Sequence, residues 1–377
     1  MKILHVGAEL LRSTGGTTKA VSDFQRAIPG SDVLAVCDAK KLEAEGPYEP
    51  SWRYVATSPS AIGGLYLKPE RAEADRAVEM AYGVDAVFSH MLYRYNTNLS
   101  QRIAQVHRVP YFVVPHGSLD PWVFSYRVWQ KKAWLSLFGR KFIKTARAVV
   151  FATQRELEKA RGVVDLDNGI VIHWPIDIPM QIDQEKAVGR KKYGLPLDKR
   201  LLVSYGRLHS MKRPLELIAI FNKLTRNDVG LVLFGPDDDV TLKQCQKRAS
   251  EREDPVVFCL PAQYGTNLHE VVQACDGYLS WSRRENFNYC LAESLSSGLP
   301  VIVSQGNDLG ADLEPVDCGW VLADDTEDTL VTAIKEFAML PDERLTEMGA
   351  RAKTFAEELL SRDIFAKKVL ELVTEKR

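Results

Sequence analysis

Short apolar runs alternate with segments of helical periodicity along the whole chain, and this alternation restricts the possible fold most. In the first half the predicted strands are 2–6, 32–37, 85–89, 111–115, 147–152 and 170–173. In the second half they are 200–205, 229–234, 255–259, 277–281, 300–304 and 319–322. Strands separated by helices are typical of parallel sheets made of βαβ units. The pattern therefore predicts an α/β protein.

The two series of strands predict two Rossmann-like domains, at 1–174 and 175–357. A chain of 377 residues is also longer than one hydrophobic core usually organises. The predicted seam is 173–179, where two prolines interrupt regular structure. A last predicted helix, at about 358–377, could pack back on the first domain. Two such sheets would face a cleft, and ligands of open α/β sheets bind outside the carboxyl ends of the strands.

Charge and composition exclude several classes of protein. The 49 basic and 50 acidic side chains nearly cancel, which argues against a nucleic-acid binder held by its overall field. No stretch approaches the roughly 18 apolar residues of a membrane-spanning helix. The first residues run directly into a strand pattern without the layout of a signal peptide. The six cysteines contain no CxxC pair, so we expect reduced thiols and a cytoplasmic protein.

Four loops that follow predicted strands carry residues suited to anions or sugars. They are 13–18 with Gly15 and Gly16, 115–122 with His116, 205–213 with Arg207 and Lys212, and 282–293 with Glu285, Asn286, Phe287, Asn288 and Glu293. Paired glycines let backbone amides approach an anion at a helix N-terminus. Arginine and lysine can neutralise a diphosphate without metal, a histidine can donate to a substrate hydroxyl, and carboxylates can accept from vicinal sugar hydroxyls. Each loop alone also fits a structural turn with solvated charges.

The fourth loop has the most specific pattern. A helix is predicted to begin near Asn286 and to end before Gly298, a residue type common just after a helix. Glu285 would then lie in the loop at the mouth of the helix, and Glu293 would lie within it. Two carboxylates in these positions suit two sugar rings, with helix amides between them for phosphate.

Taken together, these loops resemble glycosyltransferase family 4, which contains retaining enzymes of the GT-B fold. The glycine pair, the strand-end histidine, G-R-L followed by lysine, E-x7-E and S-G-x-P-V-I occur in the family's order over nearly the whole chain. The stretch 116–132 most resembles bacterial members that build surface polysaccharides and exopolysaccharides. The resemblance implies transfer of a hexose from a nucleotide diphosphate sugar to a glycan acceptor, in polysaccharide biosynthesis. UDP-glucose is the first candidate for the donor.

The resemblance also implies roles for the individual residues. Gly15 and Gly16 would approach the diphosphate or sugar, and His116 would contact the transferred sugar. Arg207 and Lys212 would clamp the leaving diphosphate. The sugar would be bound by Glu285 with Asn286, Phe287 and Asn288, and the ribose hydroxyls by Glu293. The chain departs from the family where Asn286, Asn288 and Arg213 replace common glycines. Asparagine tolerates left-handed backbone better than most residues, and Arg213 would add positive charge.

No cofactor and no metal is implied by the resemblance. The run Asp237-Asp238-Asp239 looks like the metal-binding D-x-D of the other large transferase fold. It follows a turn, however, that the related GT-B enzymes use without metal. We therefore expect the donor to bind without a divalent ion.

Residues 122–147 combine aromatic and basic side chains. They fit either a helix lying on an anionic bilayer or a core-facing helix with a solvated basic side. In the first case the protein would lie on the inner face of the membrane, and a lipid-linked glycan would be the natural acceptor.

Three other functions are compatible with parts of the pattern. A nucleotide-sugar epimerase or a phosphorylase would keep the fold, and an epimerase would need no separate acceptor. A non-catalytic two-domain ligand-binding protein would use the same loops for capture alone. A pyridine-nucleotide dehydrogenase is disfavoured because G-x-G-x-x-G is missing after the first strand.

Overall fold

The computed structural model describes residues 1–59, 67–125, 127–178 and 185–375. The chain divides into two compact units. Unit 1 consists of Met1–Pro175 and Arg362–Arg377, and unit 2 consists of Ile176–Ser361. The boundary between Pro175 and Ile176 falls inside the predicted seam, one residue after the predicted domain limit. The last residue of that seam, Pro179, lies outside the described residues.

Each unit contains one sheet of mainly parallel strands. The strands of unit 1 are β1 (Ile3–Ala8), β2 (Asp32–Asp38), β3 (Arg53–Pro59), β4 (Leu67–Lys68), β5 (Ala86–His90), β6 (Tyr111–Val114), β7 (Ala148–Phe151) and β8 (Gly169–Val171). The strands of unit 2 are β9 (Arg200–Tyr205), β10 (Val229–Phe234), β11 (Val257–Leu260), β12 (Gly277–Ser280), β13 (Val301–Val303) and β14 (Gly319–Val321). The orders are β4-β3-β2-β1-β5-β6-β7-β8 and β11-β10-β9-β12-β13-β14. Only the short edge strand β4 pairs antiparallel among the described strands.

Fifteen α-helices are present in the described residues. They are α1 (Gly16–Ala27), α2 (Ala39–Glu45), α3 (Arg71–Met80), α4 (Tyr95–His107), α5 (Val128–Trp134), α6 (Arg140–Thr145), α7 (Gln154–Arg161), α8 (Lys186–Lys192), α9 (Pro214–Lys223), α10 (Leu242–Ala249), α11 (Gly265–Gln273), α12 (Tyr289–Ser296), α13 (Glu327–Met339), α14 (Asp342–Leu359) and α15 (Arg362–Thr374). Helices between successive parallel strands are what the sequence pattern predicted.

The central strands are buried along their whole length. Every residue of β1, β5, β6 and β7 is buried, and so is every residue of β10 and β12. Parallel strands covered by helices on both faces read as continuous apolar runs, which is why these strands could be found from sequence. All twelve predicted strands are confirmed within a few residues.

The sequence analysis missed β3 and β4 at the edge of the unit 1 sheet. Among the side chains described on β3, which are those of residues 53–58, only Val55 and Thr57 are buried, while Ala56 between them is half-buried. β3 alternates without a long apolar run and β4 has only two residues, so periodicity gave no signal for either strand.

Helix α15 belongs to unit 1 although it follows all of unit 2 in the chain. It packs on α1, where the rings of Phe24 and Phe365 lie 4.4 Å apart between centroids. Trp174, at the end of unit 1's first segment, contacts the same Phe24 ring. All three side chains are fully buried. The predicted last helix is thus tied to the first domain by an aromatic cluster.

Two further expectations concern the chain as a whole. All six cysteines are free thiols, and four of them are buried. Among the described residues, no helix combines the length and the apolar character needed to cross a bilayer.

Candidate functional site

The site in unit 2 is built on two loops that leave neighbouring strands at the same edge of the sheet. Lys212 follows β9 and Glu285 follows β12, and these two parallel strands are adjacent in the sheet. Lys212 Nζ lies 2.5 Å from Glu285 Oε1, and each side chain is about one-fifth exposed, at 22% and 21%. The structure therefore brings together two residues that were singled out separately in the sequence.

The ion pair keeps Lys212 charged in a confined place. Burial has the largest single effect and would lower the pKa of Lys212, but the opposing interactions, led by the charge of Glu285, together raise that pKa above its usual value. Gly206 makes room for this arrangement, since a Cβ there would lie 3.2 Å from Lys212 Cε. Its own backbone has φ of 116°. The glycine of G-R-L is therefore needed both for its conformation and for the lysine beside it.

Backbone hydrogen bonds fix Glu285 at a defined position. Its N–H donates to the carbonyl of Gly306 (2.7 Å), and its carbonyl accepts from the N–H of Asp308 (2.9 Å). Between these two partners lies Asn307, which is buried. Sequence analysis missed this second loop, because nothing in the local pattern indicates that 306–308 pairs with residue 285.

Asn288 sets where the helix begins. Its φ is 52°, in the left-handed region, and its side chain accepts from the N–H of Leu291 as the N-cap of α12. The side-chain amide donates to Asn307 Oδ1 (2.6 Å) and to Ser280 Oγ (3.2 Å). The prediction that the helix begins near Asn286 is therefore wrong, since a left-handed residue cannot continue a right-handed helix.

The same geometry explains why asparagine can replace glycine here. Asparagine accepts positive φ at lower cost than other non-glycine residues, and it supplies a cap that glycine lacks. At the other end of α12, Gly298 has φ of 75° after the C-cap Ser297, which confirms its predicted place.

Asn286 and Phe287 lie in the loop before α12. Phe287 is buried and its ring lies 5.1 Å from that of Tyr289. Asn286 is half-buried, and its Oδ1 is a buried oxygen without a hydrogen-bond partner among the described residues. An unpaired buried acceptor is uncommon in proteins, so this oxygen is available to a ligand donor.

Glu293 lies in the second turn of α12 and is half-buried. Burial and then the charge of Glu293 raise the pKa of Tyr205, the last residue of β9, well above its usual value. The Tyr205 hydroxyl donates to the carbonyl of Cys290 (2.9 Å). Glu293 is therefore close to the end of β9 from which the G-R-L loop departs.

The two arginines of the loop after β9 have different surroundings. Arg207 is exposed and pairs with Asp238 (Nη1 to Oδ2, 2.7 Å). Arg213 has φ of 54°, pairs with Asp325 and lies 4.2 Å from the centroid of the Trp281 ring. Arg213 thus brings a positive charge to the loop, and this charge is compensated by Asp325 and stacked on an aromatic face.

The Asp237-Asp238-Asp239 run holds the neighbouring loop together. Asp237 accepts from the N–H of Leu242 (2.7 Å), and Asp239 accepts from the N–H of Ser210 (2.7 Å). Ligand atoms of His209, Asp238 and Asp239 also lie within 4.8 Å of one another, so these groups have the spacing to hold a cation. The absence of a metal requirement stays a prediction.

In unit 1, the glycine pair begins α1. Gly15 is the N-cap with φ of 63°, and Gly16 is the first helical residue. Gly16 is exposed, and a Cβ added to it would meet nothing within 4 Å. The first amides of a helix are unsatisfied donors beside open space, which is the arrangement that an anion would use.

His116 lies just after β6 with φ of 50°. The next residue, Gly117, donates its N–H to Glu156 Oε1 (2.7 Å), and Ala152 N–H donates to Oε2 of the same carboxylate (2.8 Å). Glu156 is buried, so this carboxylate fixes the histidine loop to the start of α7. Its role was not visible in the sequence.

The side chain of His116 is half-buried and packs against other aromatic rings. It lies beside the rings of Phe24 and Trp174 and stacks on His90, 5.2 Å between centroids. His90 in turn contacts His5. His5 and His90 were not predicted as site residues because they lie within apolar strand runs. The signal that could have found them is that two histidines lie on one face of the neighbouring strands β1 and β5.

Comparison with known proteins agrees with the geometry of unit 2. Residues 185–355 match the family described as Glycosyl transferases group 1. N-acetyl-alpha-D-glucosaminyl L-malate synthase of Bacillus anthracis is 28% identical over 181 residues, which cover 47% of this chain and 46% of that protein. D-inositol 3-phosphate glycosyltransferase of Mycobacteroides abscessus is 28% identical over 171 residues, covering 44% and 38%. The chain thus spans about half, or less, of the length of these relatives.

Solved structures are similar over nearly the whole chain. HepE of Anabaena, in complex with UDP and glucose, has a TM-score of 0.75 at 15% identity and covers 99% of both chains. Sucrose-phosphate synthase of Thermosynechococcus elongatus has a TM-score of 0.72 at 18% identity, covering 99% of this chain and 98% of the other. At such identities the likeness concerns the fold. The chain therefore has the GT-B fold, and residues 185–355 of its unit 2 match the glycosyl transferases group 1 family.

Proposed function

We propose that this protein is a retaining glycosyltransferase that moves a hexose from a nucleoside diphosphate sugar to a glycan acceptor, in polysaccharide biosynthesis. The observation that carries the proposal is the Lys212–Glu285 pair at the carboxyl ends of β9 and β12. A cation for phosphate and a carboxylate for sugar hydroxyls lie side by side there. Arg207 lies in the loop after β9 and Glu293 lies in α12, and both extend the same chemistry.

The transfer step needs charge stabilisation at the leaving group. The bond between the anomeric carbon and the β-phosphate oxygen breaks, and its electron pair stays on the diphosphate. The acceptor oxygen bonds to the anomeric carbon on the face that the diphosphate leaves, and its proton passes to the departing phosphate oxygen. Lys212 and Arg207 stabilise the charge that develops on the diphosphate. No carboxylate nucleophile and no metal takes part.

Donor binding changes the partners of Lys212. The diphosphate attracts Nζ more strongly than Glu285 alone, since it carries more negative charge. Glu285 is then free to accept hydrogen bonds from sugar hydroxyls. The unpaired Oδ1 of Asn286 supplies one further acceptor beside it. Glu293, in the second turn of α12, accepts from the ribose hydroxyls.

UDP-glucose is the donor that we propose first. Support comes from the HepE structures, described as complexes with UDP, with UDP and glucose and with UDP-glucose. The name of one similar protein refers to an N-acetylglucosaminyl group, so the donor is to be identified by a panel of nucleotide sugars.

The test uses the whole chain with UDP-, GDP- and ADP-sugars, with and without chelator, and records thermal stability and released nucleoside diphosphate. One donor raises the melting temperature, because it binds only the folded state. Arg207→Ala lowers turnover by about 100-fold, as expected for loss of one group that stabilises transition-state charge. Glu293→Gln weakens donor binding.

Glu343→Gln, an exposed glutamate at the start of α14, is the matched control and leaves both measurements unchanged. If no nucleotide sugar stabilises the chain, the proposal is wrong. Donor consumption without any acceptor product would favour an epimerase, and binding without turnover would favour a ligand-binding protein.

The proposed acceptor is a glycan linked to a lipid at the cytoplasmic face of a membrane. The support is the helical segment 128–145, which runs through α5, a π-helical turn at Leu135–Gly139 and α6. Trp129 is 83% exposed and Leu137 is 87% exposed, and exposed basic residues share their side of the helix. Exposed apolar residues within a basic surface suit an anionic bilayer.

A further inference from the structure

Three histidines form a hydrogen-bonded chain that ends at His116. His5 Nδ1 lies 3.0 Å from His90 Nε2, and His90 Nδ1 lies 2.9 Å from His116 Nε2. The three residues come from β1, the end of β5 and the loop after β6, three neighbouring strands of the sheet. The three hydrogen-bonded histidines therefore link the interior of unit 1 to His116, for which the family resemblance implies contact with the transferred sugar.

The surroundings of the three hydrogen-bonded histidines keep all three imidazole rings neutral. His5 and His90 have no exposed surface, and the three histidines are in contact with the aromatic rings of Phe24, Phe88 and Trp174. Burial lowers the pKa of His5 and that of His116 to about 3. Burial, followed by the two neighbouring histidines, lowers the pKa of His90 well below its usual value. At neutral pH each ring thus carries one N–H.

A chain of neutral imidazoles can be oriented in only two ways. Either every Nδ1 carries the hydrogen and each ring donates toward His116, or every Nε2 carries it and each ring donates toward His5. His5 Nε2 decides between them, because it is fully buried and has no hydrogen-bond partner among the described residues. The second orientation would leave a buried N–H unpaired there, whereas the first leaves only a lone pair, which is the less costly defect.

We propose that His5 and His90 are positioning residues that fix His116 as the neutral Nδ1–H tautomer, so that it presents a hydrogen-bond donor to the substrate. Its Nε2 accepts from His90, and within the described part of the chain this is the one hydrogen bond of its side chain. His116 then cannot take a proton from the acceptor at Nδ1, since that nitrogen already carries one. It orients a sugar oxygen by donating to it.

The consequence for the sugar rests on the proposed function, but the tautomer itself does not. The β5 end that carries His90 is also held in place, since Asn96 Nδ2 donates to the His90 carbonyl (2.7 Å). The arrangement is therefore built into the free protein and can be measured without a donor.

The test is ¹⁵N–¹H correlation spectroscopy of the full chain, labelled with ¹⁵N in its histidine rings, at neutral pH and without ligand. The seven histidines are assigned by single substitutions. We expect His116 to be neutral, with hydrogen on Nδ1 and none on Nε2. A His116 ring with hydrogen on Nε2, or on both nitrogens, overturns the proposal, and this outcome is read on the unsubstituted chain.

Variants then test the role of His90. His90→Leu removes the donor, and His116 moves away from the Nδ1–H form. His90→Asn restores it, because the asparagine amide nitrogen is as many bonds from the backbone as Nδ1. His107→Gln, on α4 with its own partner Val78, is the control and leaves the His116 signals unchanged. Unchanged His116 signals in His90→Leu would overturn the role of His90.

With the donor identified, turnover adds a second readout. His90→Leu lowers kcat by about 10- to 100-fold, the range known for residues that orient a site group, with KM little changed. His90→Asn recovers most of the loss. Equal activity of His90→Leu and the parent chain contradicts the catalytic consequence, whereas failure of every donor to react contradicts the proposed function and leaves the spectroscopic result standing.

Discussion

Residues with positive φ mark the points where the two loops of unit 2 turn. Asn288 and Arg213 have φ of 52° and 54°, in a region that glycine enters freely and other residues enter at a cost. Each repays that cost locally. Asn288 caps α12 and bonds Asn307, and Arg213 pairs with Asp325 over Trp281. Side-chain interactions that a glycine could not make therefore stabilise both left-handed positions.

The buried histidines make the stability of unit 1 depend on pH. The pKa of His5 is about 3 in the folded chain and 6.5 as its ordinary value. Between these pH values the unfolded chain binds a proton that the folded chain does not. The contribution of the neutral His5 ring to the stability of unit 1 is therefore complete above pH 6.5 and is lost as pH falls toward 3. For one histidine, the unfolding free energy changes by about 1.4 kcal/mol per pH unit within this window.

We predict that His5→Phe makes the unfolding free energy of unit 1 fall less steeply on acidification through that window. Hydrogen exchange of β1 and β5 amides, measured at several pH values, reports it. His107→Gln serves as the control with the parent slope. The same slope in His5→Phe and the parent would contradict a depressed pKa for His5.

At the scale of elements, the helical segment 128–145 separates its two sides clearly. Leu135, Phe142 and Ile143 are buried, while Trp129 and Leu137 face outward. The helix therefore has the core-facing side and the exposed basic side of one of the two interpretations left open by the sequence, and contact with a bilayer stays a prediction. Only the exposed side is available to a membrane.

We predict that the chain sediments with vesicles containing anionic lipid and not with purely zwitterionic vesicles, and that salt weakens the association. Trp129→Ser lowers the bound fraction several-fold, because the exposed indole no longer enters the interface. Tyr264→Ser removes an aromatic side chain of unit 2 that is 67% exposed, and it is the matched control. Equal binding to both kinds of vesicle, or none, would contradict a role of this surface at the membrane.

At the scale of the whole molecule, the chain leaves unit 1 at Pro175, builds unit 2 and returns with α15. The return depends on few side chains, with Phe365 and Val369 the buried residues of that helix. Phe365 closes the cluster that includes Phe24, whose ring also contacts His90 and His116. The last helix therefore supports the surroundings of the histidine chain.

We predict that Phe365→Ala destabilises unit 1 by about 3–5 kcal/mol, the usual cost of removing a buried phenylalanine. Leu370→Ala, on the same helix but 38% exposed, costs far less. Hydrogen exchange resolved by unit should show faster opening of unit 1 than of unit 2 in Phe365→Ala. If both units open alike, α15 does not belong to unit 1 alone.

The sequence by itself determined the two parallel α/β units and the loops that carry the chemistry. Buried parallel strands are apolar throughout, and loops at their carboxyl ends hold the polar residues, so both are visible in a local pattern. Lys212 and Glu285 could be named in this way, and so could the capping position of Gly298. The edge strands β3 and β4 escaped because they bury too little.

Only the tertiary structure decided which distant residues meet. The register of β1 against β5 brings His5 to His90, and the 306–308 loop meets Glu285 across 20 or more residues of chain. The left-handed turn at Asn288, which moves the start of α12, also depends on its bond to Asn307. Periodicity reports on neighbours within one element, whereas these contacts depend on how elements pack, and packing is decided by all of the side chains together.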